Sequence, residues 1–266
     1  MGIVNVTPDS FSDGGRYLDP GVAIKHGQEL VSLGADVIDV GGESTRPGAQ
    51  PVTAEEELHR VIPVVSGLAA LPGVVVSIDT TKAAVAASAL DAGASIVNDV
   101  SAGRFDPEIL SVVADAGAGY IAMHMFGEPR TMQSAPRYND VVGEVGAFLA
   151  ERIDAALGAG IAEEACMADP GIGFGKTPEN SRALLAGLPR LVQLVGAPIL
   201  VGASRKSFIG AFLGLDVNDR DEATLATTVW AFENGAAMVR VHDVRSASQA
   251  VRLLAVMGAA SSEVAA

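Results

Sequence analysis

The stretch Gly34-Ala35-Asp36-Val37-Ile38-Asp39-Val40-Gly41-Gly42 reads as a helix end followed at once by a strand. A glycine free to take a left-handed conformation satisfies the last helical carbonyls, and a Val- and Ile-rich run begins directly after it. The same Gly-Ala step recurs at Gly93-Ala94, Gly117-Ala118 and Gly235-Ala236, each time ahead of another apolar run. Working outward from these junctions, the pattern predicts about eight strands. They are Gly2–Val6, Asp36–Val40, Val74–Ile78, Ser95–Asn98, Gly119–Met123, Ala165–Asp169, Pro198–Gly202 and Ala236–Val241. Between them, segments such as Ala54–Leu71, Thr81–Asp91, Tyr138–Leu157 and Arg220–Asn234 carry helix formers with apolar spacing near three and four.

Strand and helix therefore alternate, which implies parallel strands, and continuously apolar strands imply a sheet covered by helices. Eight such units in this length predict an α/β fold closed as a (β/α)8 TIM barrel, a single domain over residues 1–260 with a frayed tail at 261–266. A doubly wound open sheet is the rival. It lacks support, because no Gly-x-Gly-x-x-Gly turn follows the first strand.

The 266 residues are 49% hydrophobic and 19% charged, enough apolar material for a sizeable core and too much for a disordered chain. A net charge of −14 without a basic run argues against nucleic acid and anionic lipid as partners, so an anionic ligand must be met by a local cluster. The single cysteine, Cys166, excludes a disulfide scaffold or a cysteine metal cluster and reads as inert core. Met1 leads straight into a strand pattern with no basic segment or cleavage site. No apolar run approaches the roughly 18 residues of a membrane span, and a cytoplasmic protein is expected.

In such a barrel the strand C-terminal ends share one rim, and here every one is polar. The first strand runs into Asn5-Val6-Thr7-Pro8-Asp9-Ser10-Phe11-Ser12-Asp13-Gly14-Gly15 and the second into Gly41-Gly42-Glu43-Ser44-Thr45-Arg46-Pro47-Gly48. Asp79-Thr80, Asn98-Asp99 and His124 end the third to fifth. The sixth gives Asp169-Pro170-Gly171-Ile172-Gly173-Phe174-Gly175-Lys176, the seventh Ser204-Arg205-Lys206 and the eighth Arg240-Val241-His242-Asp243. Taken singly, Asp79, Asn98 and Asp169 read as helix N-caps. Together, two carboxylates and an amide facing one cavity suit a planar heterocycle that offers ring N–H and amino donors. The Gly171–Lys176 run fails the Walker spacing, because Pro170 stands where the first glycine belongs. Ser204-Arg205-Lys206 opens a helical segment, a place that favours an anion, although an N-cap serine with two solvated bases reads as well locally. Arg46, Arg240 and His242 add donors on the same rim. His26 and His59 lie in helices and read as surface residues. No cluster has transition-metal spacing, so any metal is expected to be Mg²⁺ shared with a phosphorylated substrate.

Taken in order, these motifs resemble the dihydropteroate synthase family of folate biosynthesis, over essentially the whole chain. The family joins 6-hydroxymethyl-7,8-dihydropterin diphosphate to p-aminobenzoate, giving 7,8-dihydropteroate and diphosphate, with Mg²⁺ required. The resemblance implies that Asp79, Asn98, Asp169 and Lys206 hold the pterin, with Met123 packed near it and Arg240 stacked on its outer face. Asn5, Arg46, Arg240 and His242 would form the diphosphate pocket, with Asn5 also reaching Mg²⁺ and Asp9 or Asp13 a further ligand. Ser204 would receive the p-aminobenzoate carboxylate, while Phe11, Thr45, Pro47, Phe174 and Lys206 shape the slot for its ring. Asp79, Lys206, Arg240 and His242 would carry the catalysis, an SN1-like ionisation to a pterin methyl cation that the arylamine captures. A homodimer and sulfonamide recognition also follow from the resemblance. One departure is visible: where the family usually carries a His-Asn pair, this chain reads Asn180-Ser181. A pterin-dependent methyltransferase domain shares the acceptor set but needs no diphosphate pocket. A catalytically silent pterin-binding paralogue would tend to have altered loops, and these are intact.

Overall fold

Eight strands pair in chain order, all parallel: β1 (Gly2–Asn5), β2 (Val37–Gly41), β3 (Val75–Asp79), β4 (Ile96–Asp99), β5 (Gly119–Met123), β6 (Cys166–Asp169), β7 (Ile199–Val201) and β8 (Ala236–Val239). The computed structural model of the chain describes residues 1–7, 19–45, 48–129, 131–134 and 136–264. The sheet closes on itself where the Met1 amine donates to the Val239 carbonyl at 2.9 Å, the Val241 N–H donates to the Met1 carbonyl at 3.0 Å, and Gly2 bridges Val241. The fold is the expected (β/α)8 barrel.

The helices α1 (Pro20–Ser32), α2 (Ala54–Ala69), α3 (Ala83–Asp91), α4 (Glu108–Ala116), α5 (Val141–Gly158), α6 (Pro178–Ala186), α7 (Leu188–Val195), α8 (Ser207–Leu213), α9 (Asp221–Glu233) and α10 (Val244–Val264) cover the outside. Side chains alternate across a strand, so each strand supplies two cores. Outward-facing Val4, Val40, Ile78, Val97 and Ala168 pack under the helices. Inward-facing Val37, Ile121 and Leu200, with Met1, Ile96, Met167 and Met238, plug the barrel itself. All four Gly-Ala junction glycines, Gly34, Gly93, Gly117 and Gly235, have positive φ, between 62° and 107°, as the helix-end reading requires.

Several expectations shift. Strands seven and eight are shorter than predicted, because the β7–β8 register slips between Ile199 and Leu200 and leaves Arg240 just past the ladder. The closing helix runs from Val244 to Val264. The side chains of Asp19, Thr53, Asp140 and Thr177 cap helices, and Asp243 accepts the Ser246 N–H at the start of α10. Asp79, Asn98 and Asp169 cap none: the helices after their strands have Lys82, Pro107 and Thr177 at their N-cap positions. Cys166 is buried and free. Among the described residues no helix is long and apolar enough to cross a membrane.

The Asn98-Asp99 pair divides by the same alternation. Asn98 enters the barrel, whereas Asp99 accepts hydrogen bonds from Ser101 N–H and Oγ, Gly103 N–H and the buried Tyr120 hydroxyl. Asp99 is thus a structural anchor. Asp99→Ala strands these donors and is expected to cost about 3 kcal/mol of stability, against about 1 kcal/mol for Tyr120→Phe. Urea unfolding checks both; equal, sub-kilocalorie effects would contradict the assignment.

Candidate active site

Arg240 leaves the end of β8 and crosses the barrel mouth. Its Nε donates to Asp39 Oδ2 at 2.7 Å and its Nη2 to Asp79 Oδ2 at 3.2 Å. The same Asp39 oxygen accepts the Asn98 side-chain amide at 3.0 Å. One carboxylate oxygen on β2 thus positions an arginine from β8 and an amide from β4. Asp39, fully buried, is the residue that sequence reading missed. Its signal was present: an acid inside an otherwise apolar strand, sharing face parity with Val37 and Gly41.

Asp79, Asn98, Met123, Asp169, Lys206, Arg240 and His242 all line one niche of about 80 Å³ at the top of the barrel. It opens into a cavity of about 470 Å³ bordered by Asn5, Thr45, Phe174, Ser204 and again Lys206, Arg240 and His242. Every described member of the expected site therefore borders one continuous space. Phe11, Arg46 and Pro47, with Asp9 and Asp13, lie outside the described residues.

The electrostatics follow from burial. Desolvation and the neighbouring Asp39 raise the Asp79 carboxyl to about 7, against the pull of Arg240. Burial also raises Asp169, opposed by Lys206 and by the Gly171 N–H that donates to it at 2.7 Å. Burial lowers Lys206 to about 8, with Asp169 working the other way. Desolvation works against the Arg240 charge too, but Asp39 and Asp79 outweigh it and raise the group. The niche holds one acid, Asp79, and one base, Lys206, near their tipping points, which is common where a ligand is to be bound through its protons.

Lys206 is aimed by the loop after β6. Its Nζ donates to the Ile172 carbonyl and stands 4.3 Å from the centre of the Phe174 ring. The loop can fold this way because Gly171 has φ +64° and passes so close to β5 that a Cβ there would stand 2.0 Å from the His124 carbonyl oxygen. Each of the next carbonyls has a donor: Gly173 receives Gln133, Phe174 receives Lys176 and Gly175 receives Tyr138. Lys176, also buried, reaches back to His124 on Nδ1 at 2.9 Å. Desolvation holds His124 down at about 2, so it is neutral, and pulls Lys176 well below the usual lysine range.

The seventh-strand motif departs from its reading. Helix α8 begins at Ser207, with Lys206 at its cap position, so Ser204 does not start a helix. It sits in the preceding turn, where its Oγ lies 2.9 Å from His242 Nδ1 and accepts the His242 N–H at 3.3 Å. Arg205 is not a solvated base: with φ +56° it turns away and pairs with Asp221 through Nε at 2.6 Å and Nη2 at 2.8 Å. All three residues border the cavity, but the reversal turns the Arg205 guanidinium to Asp221 at the start of α9. On the opposite wall, Lys82 bridges Glu43 and the buried Glu57, and Arg60 donates to the Gly42 carbonyl at 2.8 Å. These contacts fix the strand-two loop that carries Thr45.

Comparison with known proteins agrees with this geometry. A family model described as "Pterin binding enzyme" matches residues 1–242. The dihydropteroate synthase of Mycobacterium leprae is 49% identical over 262 residues, 96% of this chain and 91% of that protein. A Yersinia pestis dihydropteroate synthase crystallised with a sulfonamide drug superposes with a TM-score of 0.93 at 42% identity, covering 97% of this chain and 94% of the other. The Xanthomonas albilineans enzyme in complex with 7,8-dihydropteroate gives 0.86 at 43% identity, with coverage of 97% and 93%. The chain belongs to the pterin binding enzyme family, as one of its dihydropteroate synthases.

Proposed function

We propose that this synthase condenses 6-hydroxymethyl-7,8-dihydropterin diphosphate with p-aminobenzoate by ionising the pterin C–O bond before the nitrogen attacks. The observation that carries the reading is the convergence of Asp79, Asn98, Asp169 and Lys206 on one niche, with Arg240 and His242 at its mouth. Carboxylate and amide acceptors match the ring N–H and amino donors of the pterin, and the Lys206 ammonium supplies the complementary donor. As the ring enters, its donors replace the 3.2 Å Asp79–Arg240 contact, while the 2.7 Å Asp39 contact keeps the arginine at the mouth. The freed face of Arg240 then lies over the ring and against the diphosphate.

The C–O electrons depart with the diphosphate, where charge must be met, and Arg240, His242 and Arg46 meet it. The cation left behind is stabilised by resonance and by the carboxylates beneath it. The arylamine lone pair forms the C–N bond and the surplus proton passes to solvent; an aniline is neutral at pH 7 and needs no strong base. Ser204, oriented by His242, receives the p-aminobenzoate carboxylate, and Thr45, Phe174 and the Lys206 stem shape the slot, with Phe11 and Pro47. The same slot suits the aryl sulfonamides that the family admits.

The site also suits Mg²⁺. Asn5 Oδ1 and Asp79 Oδ2 both stand within 3.8 Å of the point that a side chain at Gly41 would occupy, so hard oxygen donors face one niche. Among the described residues no group of three or more His, Cys, Asp or Glu side chains could hold an ion. The cation would be bound chiefly by phosphate and water, with Asn5 as a protein ligand and Asp9 or Asp13 a further one. When bound, Mg²⁺ lowers the charge on the leaving diphosphate. A homodimer formed through the C-terminal helices is supported by Trp230 of α9 and Leu253 and Val256 of α10, which are at least half exposed; light scattering tests it.

Diphosphate release with both substrates present tests the activity, and no release with either alone is expected. Asp79→Asn and Arg240→Ala should each lower kcat/KM roughly 10²- to 10³-fold. Asp79→Asn should melt no lower than the parent at pH 8, since the burial penalty of this carboxyl builds up between its ordinary value of 3.8 and its folded value of about 7 and is full above that. Retention of near-parental kcat/KM would contradict the roles. For the pterin substrate, kcat/KM should rise as Asp79 ionises near 7 and fall as Lys206 discharges near 8, a bell that a flat profile from pH 6 to 9 would refute. EDTA should stop turnover and Mg²⁺ restore it, with Asn5→Ala needing about tenfold more Mg²⁺ for half-maximal rate.

A further inference from the structure

Lys176 is 3% exposed, and among the described residues bordering the niche and the cavity neither it nor His124 appears. It nonetheless meets a complete set of acceptors: His124 Nδ1 at 2.9 Å, the His124 carbonyl at 3.3 Å and the Phe174 carbonyl at 3.0 Å. An ammonium has three donors, and these three acceptors converge on it from two elements. One is the end of β5, where His124 is walled by Phe148 at a ring distance of 4.8 Å and Tyr138 at 6.1 Å. The other is the loop after β6. Lys176 therefore ties the far side of that loop to the barrel, on the peptide that carries Phe174.

The near side of the loop is tied by its own turn, Phe174 N–H donating to the Gly171 carbonyl at 3.0 Å, and by Lys206 on Ile172. With the backbone fixed at both faces, the Phe174 ring has one place to lie, packed against Met123 and Met132 and under the Lys206 ammonium. Without Lys176 the Phe174 carbonyl would be free to rotate, and the ring would lose its register with Lys206.

We propose that Lys176 is a positioning residue of the condensation, holding the Phe174 ring against Lys206 so that the arylamine slot stands formed before its ligand arrives. This rests on the assignment of Phe174 to that slot. The geometry makes the effect specific: the clamp acts on the wall facing the arylamine, while Asp79, Asn98 and Arg240 are held from β2, β3, β4 and β8 without it.

Steady-state kinetics on Lys176→Met, with Phe174→Ala as control, test this. Lys176→Met is expected to raise the KM for p-aminobenzoate about tenfold, with the KM for the pterin substrate within twofold of the parent. A purely structural lysine would reduce the folded, active fraction instead, lowering kcat and leaving both KM values in place; that outcome overturns the proposal. If Phe174→Ala raises the arylamine KM and Lys176→Met does not, the clamp alone fails. If Phe174→Ala leaves it unchanged, the slot assignment fails and takes the clamp with it. Should Lys176→Met not fold, His124→Leu and His124→Asn decide, since they keep the lysine and alter only its acceptor. His124→Leu should raise the arylamine KM, and His124→Asn, whose Oδ1 can stand near the place of Nδ1, should stay closer to the parent. Equal arylamine KM values for the two would overturn the proposal.

Discussion

The contact on which the site depends is the one between Arg240 and Asp39, residues 201 apart in sequence and 2.7 Å apart in space. It can form only in a closed barrel, because it runs from the last strand to the second across the mouth. A buried pair of this kind is weak evidence for stability, since removing both charges from water costs about as much as their attraction returns. What it supplies is position. Asp39 spends one oxygen on Arg240 and Asn98 together, so the guanidinium at the mouth and the amide in the niche are set relative to each other by a single atom.

The surrounding charges follow from depth. Burial raises Asp79 and Asp169 and lowers Lys206, while Asp39 and Asp79 hold the Arg240 charge in place. A chain with a net charge of −14 can in this way receive an anionic substrate through a local reversal of field. The loop after β6 adds a second device. The carbonyls of Ile172, Gly173, Phe174 and Gly175 are held by Lys206, Gln133, the loop's own Lys176 and Tyr138, which turns a glycine-rich segment into a rigid wall. Rigidity of that sort lowers the ordering cost when substrate binds.

The barrel was legible in the sequence because local signals repeat: a Gly-Ala junction, an apolar run, a polar residue at its end. The site was legible to the same degree, since strand ends in a barrel must converge and Asp79, Asn98, Asp169, Lys206 and Arg240 all stand at or beside one. The readings that failed concern orientation. Arg205 looked like a partner of Ser204 and Lys206, but a left-handed turn sends it to Asp221. Ser204 looked like a helix start, and α8 begins only at Ser207.

The sequence by itself determined which residues would reach the rim, because strand alternation and helix punctuation are local properties of neighbouring residues. Only the tertiary structure decided who holds whom: that one Asp39 oxygen restrains both Arg240 and Asn98, and that Lys176 reaches His124. Those contacts join strands and loops far apart in the chain. They exist because barrel closure leaves each buried donor or acceptor a small set of partners, and no local pattern encodes which of them will be within 3 Å.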